Sequence, residues 1–106
     1  MMFAGSLDHR ITLQRRSTWT DLEYEETREG FETLKTVSAS VRHASGREFL
    51  SAGAIVNERR AIFTIRWREG LTTLDRLVYA GAPFNIKEIR EIGRREGLEI
   101  FAEAVA

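Results

Sequence analysis

The chain has 106 residues, with 16 Lys plus Arg balanced by 16 Asp plus Glu and no cysteine. That is the usual length of one domain, so residues 1–106 are expected to form a single unit whose folding buries somewhat more than about 60% of the unfolded chain's surface. Zero net charge removes any bulk attraction to nucleic acid or an anionic membrane, the lack of cysteine rules out disulfides and thiolate metal sites, and no apolar stretch approaches the roughly 18 residues that span a bilayer. The opening Met1-Met2-Phe3-Ala4-Gly5 lacks the charged and long apolar regions of a secretion signal, which points to a soluble protein made in the cytoplasm.

His9 to Arg16 is the first strand: Ile11 and Leu13 share one face, and Arg10, Thr12 and Gln14 the other. Ser17 to Gly30 carries Asp21, Glu23, Glu25, Glu26 and Glu29 against a single Arg28 and offers little to bury, so it reads as a mobile loop. Such an acidic segment is either a solvated connection or a loop that faces a partner or a channel. Trp19 within it would then anchor the loop or meet a partner. Phe31 to His43 follows as a second strand, with Val37, Ala39 and Val41 on one face and the small Ser38 and Ser40 opposite.

Ser45-Gly46-Arg47-Glu48 has the form of a capping box, and Phe49, Ala52 and Val56 follow at helical spacing. Gly53 weakens that helix by about 1 kcal/mol relative to alanine. A long loop or short helix is therefore expected between the second and third strands. In Arg60 to Arg68, Ala61, Phe63, Ile65 and Trp67 share the inward face, Arg60, Thr64, Arg66 and Arg68 lie opposite, and Ile62 is the one apolar residue on the wetter side.

Arg76 to Ala80 is a fourth strand, turned by Gly81-Ala82-Pro83 into a fifth from Phe84 to Ile92. Phe84 and Ile86 have one parity and Ile89 the other, so a β-bulge near Lys87 or Glu88 is needed to turn all three inward. Gly93-Arg94-Arg95-Glu96-Gly97 makes a further turn, and Leu98, Ile100 and Ala102 alternate through a last strand to Val105. The fold class is mainly β: a small six-stranded antiparallel β-barrel, because sharp curvature suits closure and closure removes exposed edges.

No catalytic set emerges. Asp8 and His9 are neighbours on a strand and point to opposite faces, so His9 and His43 read as exposed histidines at strand ends. The serines lack a nucleophile elbow and the glycines fit turns, so no catalytic, cofactor or metal residue is assigned and the chain is not read as an enzyme. Arg15-Arg16 and Arg94-Arg95, with Arg66 and Arg68, are either solvated faces or a basic stripe. A stripe with exposed aromatics would suit an oligonucleotide-binding type of barrel for single-stranded nucleic acid, which is the alternative function.

The order of the pieces resembles the bacteriophage head-tail joining proteins, also called head-completion, stopper or head-tail adaptor proteins. Gly5-Ser6-Leu7 with Arg10 to Gln14, Val37 to Val41, Ser45 to Glu48 with Ala52, Ile65-Arg66-Trp67, Arg76-Leu77, Gly81 to Ile86 and Leu98-Glu99-Ile100 carry the likeness. Each piece is common, and their order over most of the chain is what is specific. The resemblance implies a structural virion component of a phage, prophage or gene-transfer particle. It would form a homo-oligomeric ring in the neck below the portal or adaptor, join head to tail, and as a stopper retain packaged DNA. Its implied partners are further copies, the portal or adaptor, a tail-completion or tail-terminator protein, and double-stranded DNA passing through unread, with no membrane. The expected channel-facing or partner loops hold Asp21, Glu23, Glu25 and Glu26, or Arg47, Glu48 and Phe49; the family's long connection favours the latter for the channel. Arg66 and Arg68 are the expected inter-subunit contacts.

Overall fold

The computed structural model describes residues 7–43 and 60–105. Six antiparallel strands run in the order β1 (His9–Asp21), β2 (Glu26–His43), β3 (Arg60–Arg66), β4 (Arg76–Tyr79), β5 (Ala82–Ile92) and β6 (Gly97–Ala104). They close into a barrel with the neighbour order β1-β2-β3-β6-β5-β4, with β4 pairing back onto β1. The all-β expectation and the six strands hold, and several boundaries move.

The alternating apolar residues meet inside. Ile11 and Leu13 of β1, Ala39 of β2, Ala61, Phe63 and Ile65 of β3, Leu77 of β4, Ile86 of β5 and Leu98, Ile100 and Ala102 of β6 form one buried cluster. Phe63 is its centre, packed edge-on against Tyr79 and Phe84 at ring separations of 5.5 and 5.3 Å. The bulge expected in the fifth strand is present: Ile86 pairs with Ala102, Glu88 with Phe101, and Lys87 is the extra residue. That single insertion turns Ile86 and Ile89 to the same side, where both contact the core.

Two turns set the remaining geometry. Tyr79 pairs with Ala82, so the β4–β5 turn is the two-residue Ala80-Gly81, both at positive φ (52° and 80°), as a type I′ turn requires. It lies one residue earlier than Gly81-Ala82-Pro83. Between β5 and β6, Gly93 and Arg95 adopt positive φ and the Glu96 amide donates to the Ile92 carbonyl at 3.1 Å.

Ser17 to Gly30 is the main correction. The segment is not a loop: β1 continues to Asp21 and β2 begins at Glu26, in continuous register from Ser17 opposite Gly30 to Asp21 opposite Glu26. β1 meets β4 only from Ile11 to Gln14, and β2 meets β3 only from Ala39 to His43. Beyond those points, among the described residues, the two strands pair with each other alone, a hairpin arm that leaves the barrel and stretches the molecule to 50 × 28 × 24 Å. At roughly 3.3 Å per residue, Arg15 to Asp21 reaches about 20 Å. A bulge at Leu34, between the pairs Leu13–Lys35 and Gln14–Thr33, marks where barrel becomes arm and lets Leu34 pack against the core.

Two further expectations change. β3 ends at Arg66, and Trp67 just beyond it packs against the core as expected but only half-buried, at the rim, where its Nε1 donates to Glu91 Oε1 at 3.1 Å. Ile62, assigned to the wetter face, is fully buried with its outward-facing neighbour Phe101 on β6. The Arg42 side chain crosses this face to Glu99 at 3.5 Å, bringing its apolar stem over β3. The capping box and helical spacing of residues 45 to 56 lie outside the described residues.

Candidate functional site

The arm's tip combines exposed carboxylates with exposed apolar side chains. Leu22, Glu23, Tyr24 and Glu25 form the turn, with Glu25 at φ 54° and the Glu23 amide capped by Asp21 Oδ1 at 3.0 Å. Arg28 pairs with Asp21 at 3.1 Å and reaches Glu26 at 3.8 Å, while its guanidinium lies 6.0 Å from the Tyr24 ring centre. Glu23, Glu25 and Glu29 remain as exposed carboxylates around them. Trp19, Leu22 and Tyr24 are 51, 88 and 62% exposed, three large apolar side chains on an otherwise polar arm. Trp19 is also structural, since its ring lies over Gly30 so closely that a Cβ there would sit 2.9 Å from Cη2.

The arm's base is fixed. Arg15 donates from Nε to Asp75 Oδ1 at 3.0 Å and from Nη2 to Asp75 Oδ2 at 3.2 Å, and Nη2 also reaches the Gly70 carbonyl at 2.7 Å. Asp75 is buried and accepts the Thr72 amide at 2.9 Å. Burial pushes its carboxyl up. The Arg15 hydrogen bonds, the Thr72 amide and the Arg15 charge outweigh that and hold it below the usual carboxylate range. On the other side of the base, Arg76 stacks 3.5 Å from the Phe31 ring centre while its Nε donates to Gln14 at 2.8 Å. A two-stranded ribbon without a core is marginal by itself, and these contacts tie it to the β3–β4 connection and to β4.

Arg66 and Arg68 line a groove of about 460 Å³ together with Arg10, Lys35 and Trp67. Among the described residues no carboxylate lines it. It opens where β2 runs on past the end of β3, at the end of the barrel from which the arm leaves. Arg95, in the β5–β6 turn, lies 4.9 Å from the Trp67 ring centre at the same end. Arg94 sits beside it in that turn, so Arg66, Arg68 and the Arg94-Arg95 pair gather at one rim. Arg15 and Arg16 belong instead to the base of the arm.

The opposite end of the barrel is different in kind. His43 and Arg60, where the 44–59 connection leaves and returns, line a cavity of about 430 Å³ there with His9, Arg42, Tyr79 and Phe84. His9 Nδ1 is 3.2 Å from the Tyr79 hydroxyl, and its Nε2 lies 3.5 Å from Asp8. Asp8 precedes β1 rather than alternating within it, so the two side chains meet despite the strand argument. Among the described residues no cluster of His, Cys, Asp and Glu has the makings of a metal site, and no helix is long and apolar enough to cross a membrane. The rings of Phe63, Tyr79 and Phe84 are engaged with one another rather than displayed for base stacking.

The structure thus gathers Asp21, Glu23, Glu25 and Glu26 at the tip of one arm, and Arg66 and Arg68 in one groove. Arg47, Glu48 and Phe49 lie outside the described residues. Sequence reasoning missed Arg10 and Lys35, which share the groove with Arg66 and Arg68, and the Arg15–Asp75 anchor. Only the outward parity of Arg10 on its strand hinted at either.

The model of the phage head completion protein family matches residues 2–105. The chain belongs to that family. Protein SF1141 from Shigella flexneri 2a, solved in solution, is 30% identical with a TM-score of 0.78, and the alignment covers 96% of each chain. A chain in the virion of a native gene transfer agent particle shares the fold at 19% identity and a TM-score of 0.64, over 93% of this chain and 96% of that one. No curated protein sequence matches significantly. Membership of the head completion family sets the context of a phage structural protein.

Proposed function

We propose that this head completion protein is a structural, non-catalytic connector. It assembles as a ring in the virion neck below the portal or its adaptor, joins head to tail, and retains packaged DNA as a stopper. The match of the family model to nearly the whole chain carries this reading. The two ends of the barrel support it, because a connector meets different proteins on its head side and its tail side.

In this reading the 44–59 connection, with Arg47, Glu48 and Phe49, faces the channel, and double-stranded DNA passes without being read. Arg47 and Arg59 are balanced there by Glu48 and Glu58, so the segment offers phosphates no net positive charge to grip. The arm, with Asp21, Glu23, Glu25 and Glu26, faces a protein partner, and Arg66 and Arg68 contact a neighbouring copy. The chain is made in the bacterial host's cytoplasm and leaves in the particle. Electron microscopy of particles assembled with and without it tests the proposal: without it, heads should lack tails and leak DNA. Tailed, DNA-retaining particles made without the chain would overturn it.

A further inference from the structure

The acidic tip and the basic groove have complementary chemistry, and they lie too far apart to serve one another. The arm carries its carboxylates away from the barrel by about 20 Å. The groove at the barrel rim holds Arg10, Lys35 and Arg68 around Trp67, with Arg66 beside them and no acidic residue among the described ones. Over residues 17–30 the arm has five carboxylates and one arginine. The sum over the chain is zero, so each copy is a separated pair of opposite charges, as a molecule bound head to tail by its own kind would be.

We propose that the arm tip of one copy docks in the basic groove of the next. This rests on the connector reading and specifies its subunit contact. Glu23, Glu25 and Glu29 would face Arg10, Lys35 and Arg68, with the exposed Leu22 and Tyr24 brought toward Trp67. Such a contact joins two different patches: exchanged between two copies it would stop at a dimer, whereas passed on from copy to copy it is heterologous and ends only when a ring closes. Symmetric pairing is disfavoured because tip on tip sets like charges together, as does groove on groove. The strand edges add to the fit. Beyond Gln14 and Ala39 the arm strands have no partner among the described residues but each other, and β2 from Lys35 to Ser38 forms one wall of the groove with its outer edge unpaired by β3. An incoming strand can extend the sheet there.

The natural chain has no cysteine, so introduced thiols report contacts without background. A full chain with both Glu23→Cys and Lys35→Cys, oxidised at high protein concentration and low salt, should give a ladder of linked dimers, trimers and larger species. Ser38→Cys, also in the groove, serves as a second position if Lys35→Cys does not fold. The control joins Glu23→Cys to Asn85→Cys, on β5, which the strand order places across the barrel from β2; its ladder should be at least roughly fivefold weaker. Arg10→Glu with Arg68→Glu in the ladder-forming chain should lower the yield by about the same factor, as should half-molar salt.

A ladder no stronger than the control's, or one indifferent to charge reversal and salt, overturns the docking. So do dimers joined by a bridge between their two tip cysteines, which mean tip-to-tip contact. The particle experiment is independent. Tailless heads in the absence of the chain, combined with no ladder, would leave the connector role standing and remove only this contact.

Discussion

Arg15 and Asp75 are sixty residues apart and meet through two parallel hydrogen bonds of 3.0 and 3.2 Å, the only carboxylate pairing among the described residues in which the acid is buried. The pair joins the point where the arm leaves the barrel to the connection between β3 and β4. Replacing Asp75 by alanine leaves the Thr72 amide and the Arg15 guanidinium without their acceptor. We expect a loss of about 1–3 kcal/mol, read as a lower urea midpoint. An unchanged midpoint would show that the pair does not hold the base.

The same carboxyl gives a pH signature. Its folded value lies below the ordinary one near 3.8. Its stabilising contribution is therefore fully present above the unfolded value and is lost as pH falls through the folded value. Melting temperatures should decline below about pH 4, and Asp75→Ala should flatten the decline, since its carboxyl no longer contributes. Parallel melting curves for the two chains would contradict this.

Gly30→Ala pushes a Cβ against the Trp19 ring, which must swing away because it is the flexible party. The arm has no second layer to absorb that change. Amide exchange should quicken in Ser17 to Gly30 while β3 and β6 stay as protected as before. Equal protection along the arm in both proteins would mean that the Trp19 ring does not hold it together.

Phe63 of β3 and Trp67 just beyond its end should separate sharply. Phe63→Ala removes the ring at the centre of the aromatic group and should cost about 3–5 kcal/mol, enough to unfold a marginal domain. Trp67 is only half-buried at the rim, so Trp67→Ala should cost clearly less. A denaturation series that ranks them the other way would refute the placement of Trp67.

Ala80 occupies a positive-φ position where alanine is strained. Ala80→Asn makes the Asn-Gly pair that type I′ turns favour and should stabilise the protein by about 0.5–1 kcal/mol, seen as a higher Tm. No gain would indicate that the turn differs from type I′ in solution.

The barrel was legible because its strands bury an inward face, and alternation is the mark of that asymmetry; Ile62 and Phe101, buried on the outward face, are where the pattern misleads. Even the bulge at Lys87 could be placed, since Ile86 and Ile89 cannot otherwise both turn inward. The arm was not legible for the same reason reversed. Its residues have water on both faces, so no period of two is imposed on them, and its turn, Leu22-Glu23-Tyr24-Glu25, contains no Gly, Pro, Asn or Asp. The remaining signal was compositional: Thr18, Trp19, Thr20, Tyr24 and Thr27 are strand formers, outweighed in the reading by acidic residues around them. The groove was legible only in its Arg66 and Arg68. Arg10 and Lys35 join them through the pairing of β1 with β2 and the early end of β3, which no local pattern reveals.

The arm springs from one end of the barrel, and the 44–59 connection is rooted at the other. Each subunit therefore has a front and a back, as an arrow does, and copies ranged side by side about an axis would all point the same way. Such a collar can be threaded onto a particle in one orientation only. A sequence of assembly events, first one neighbour and then the next, would then be written into the asymmetry of a single small barrel.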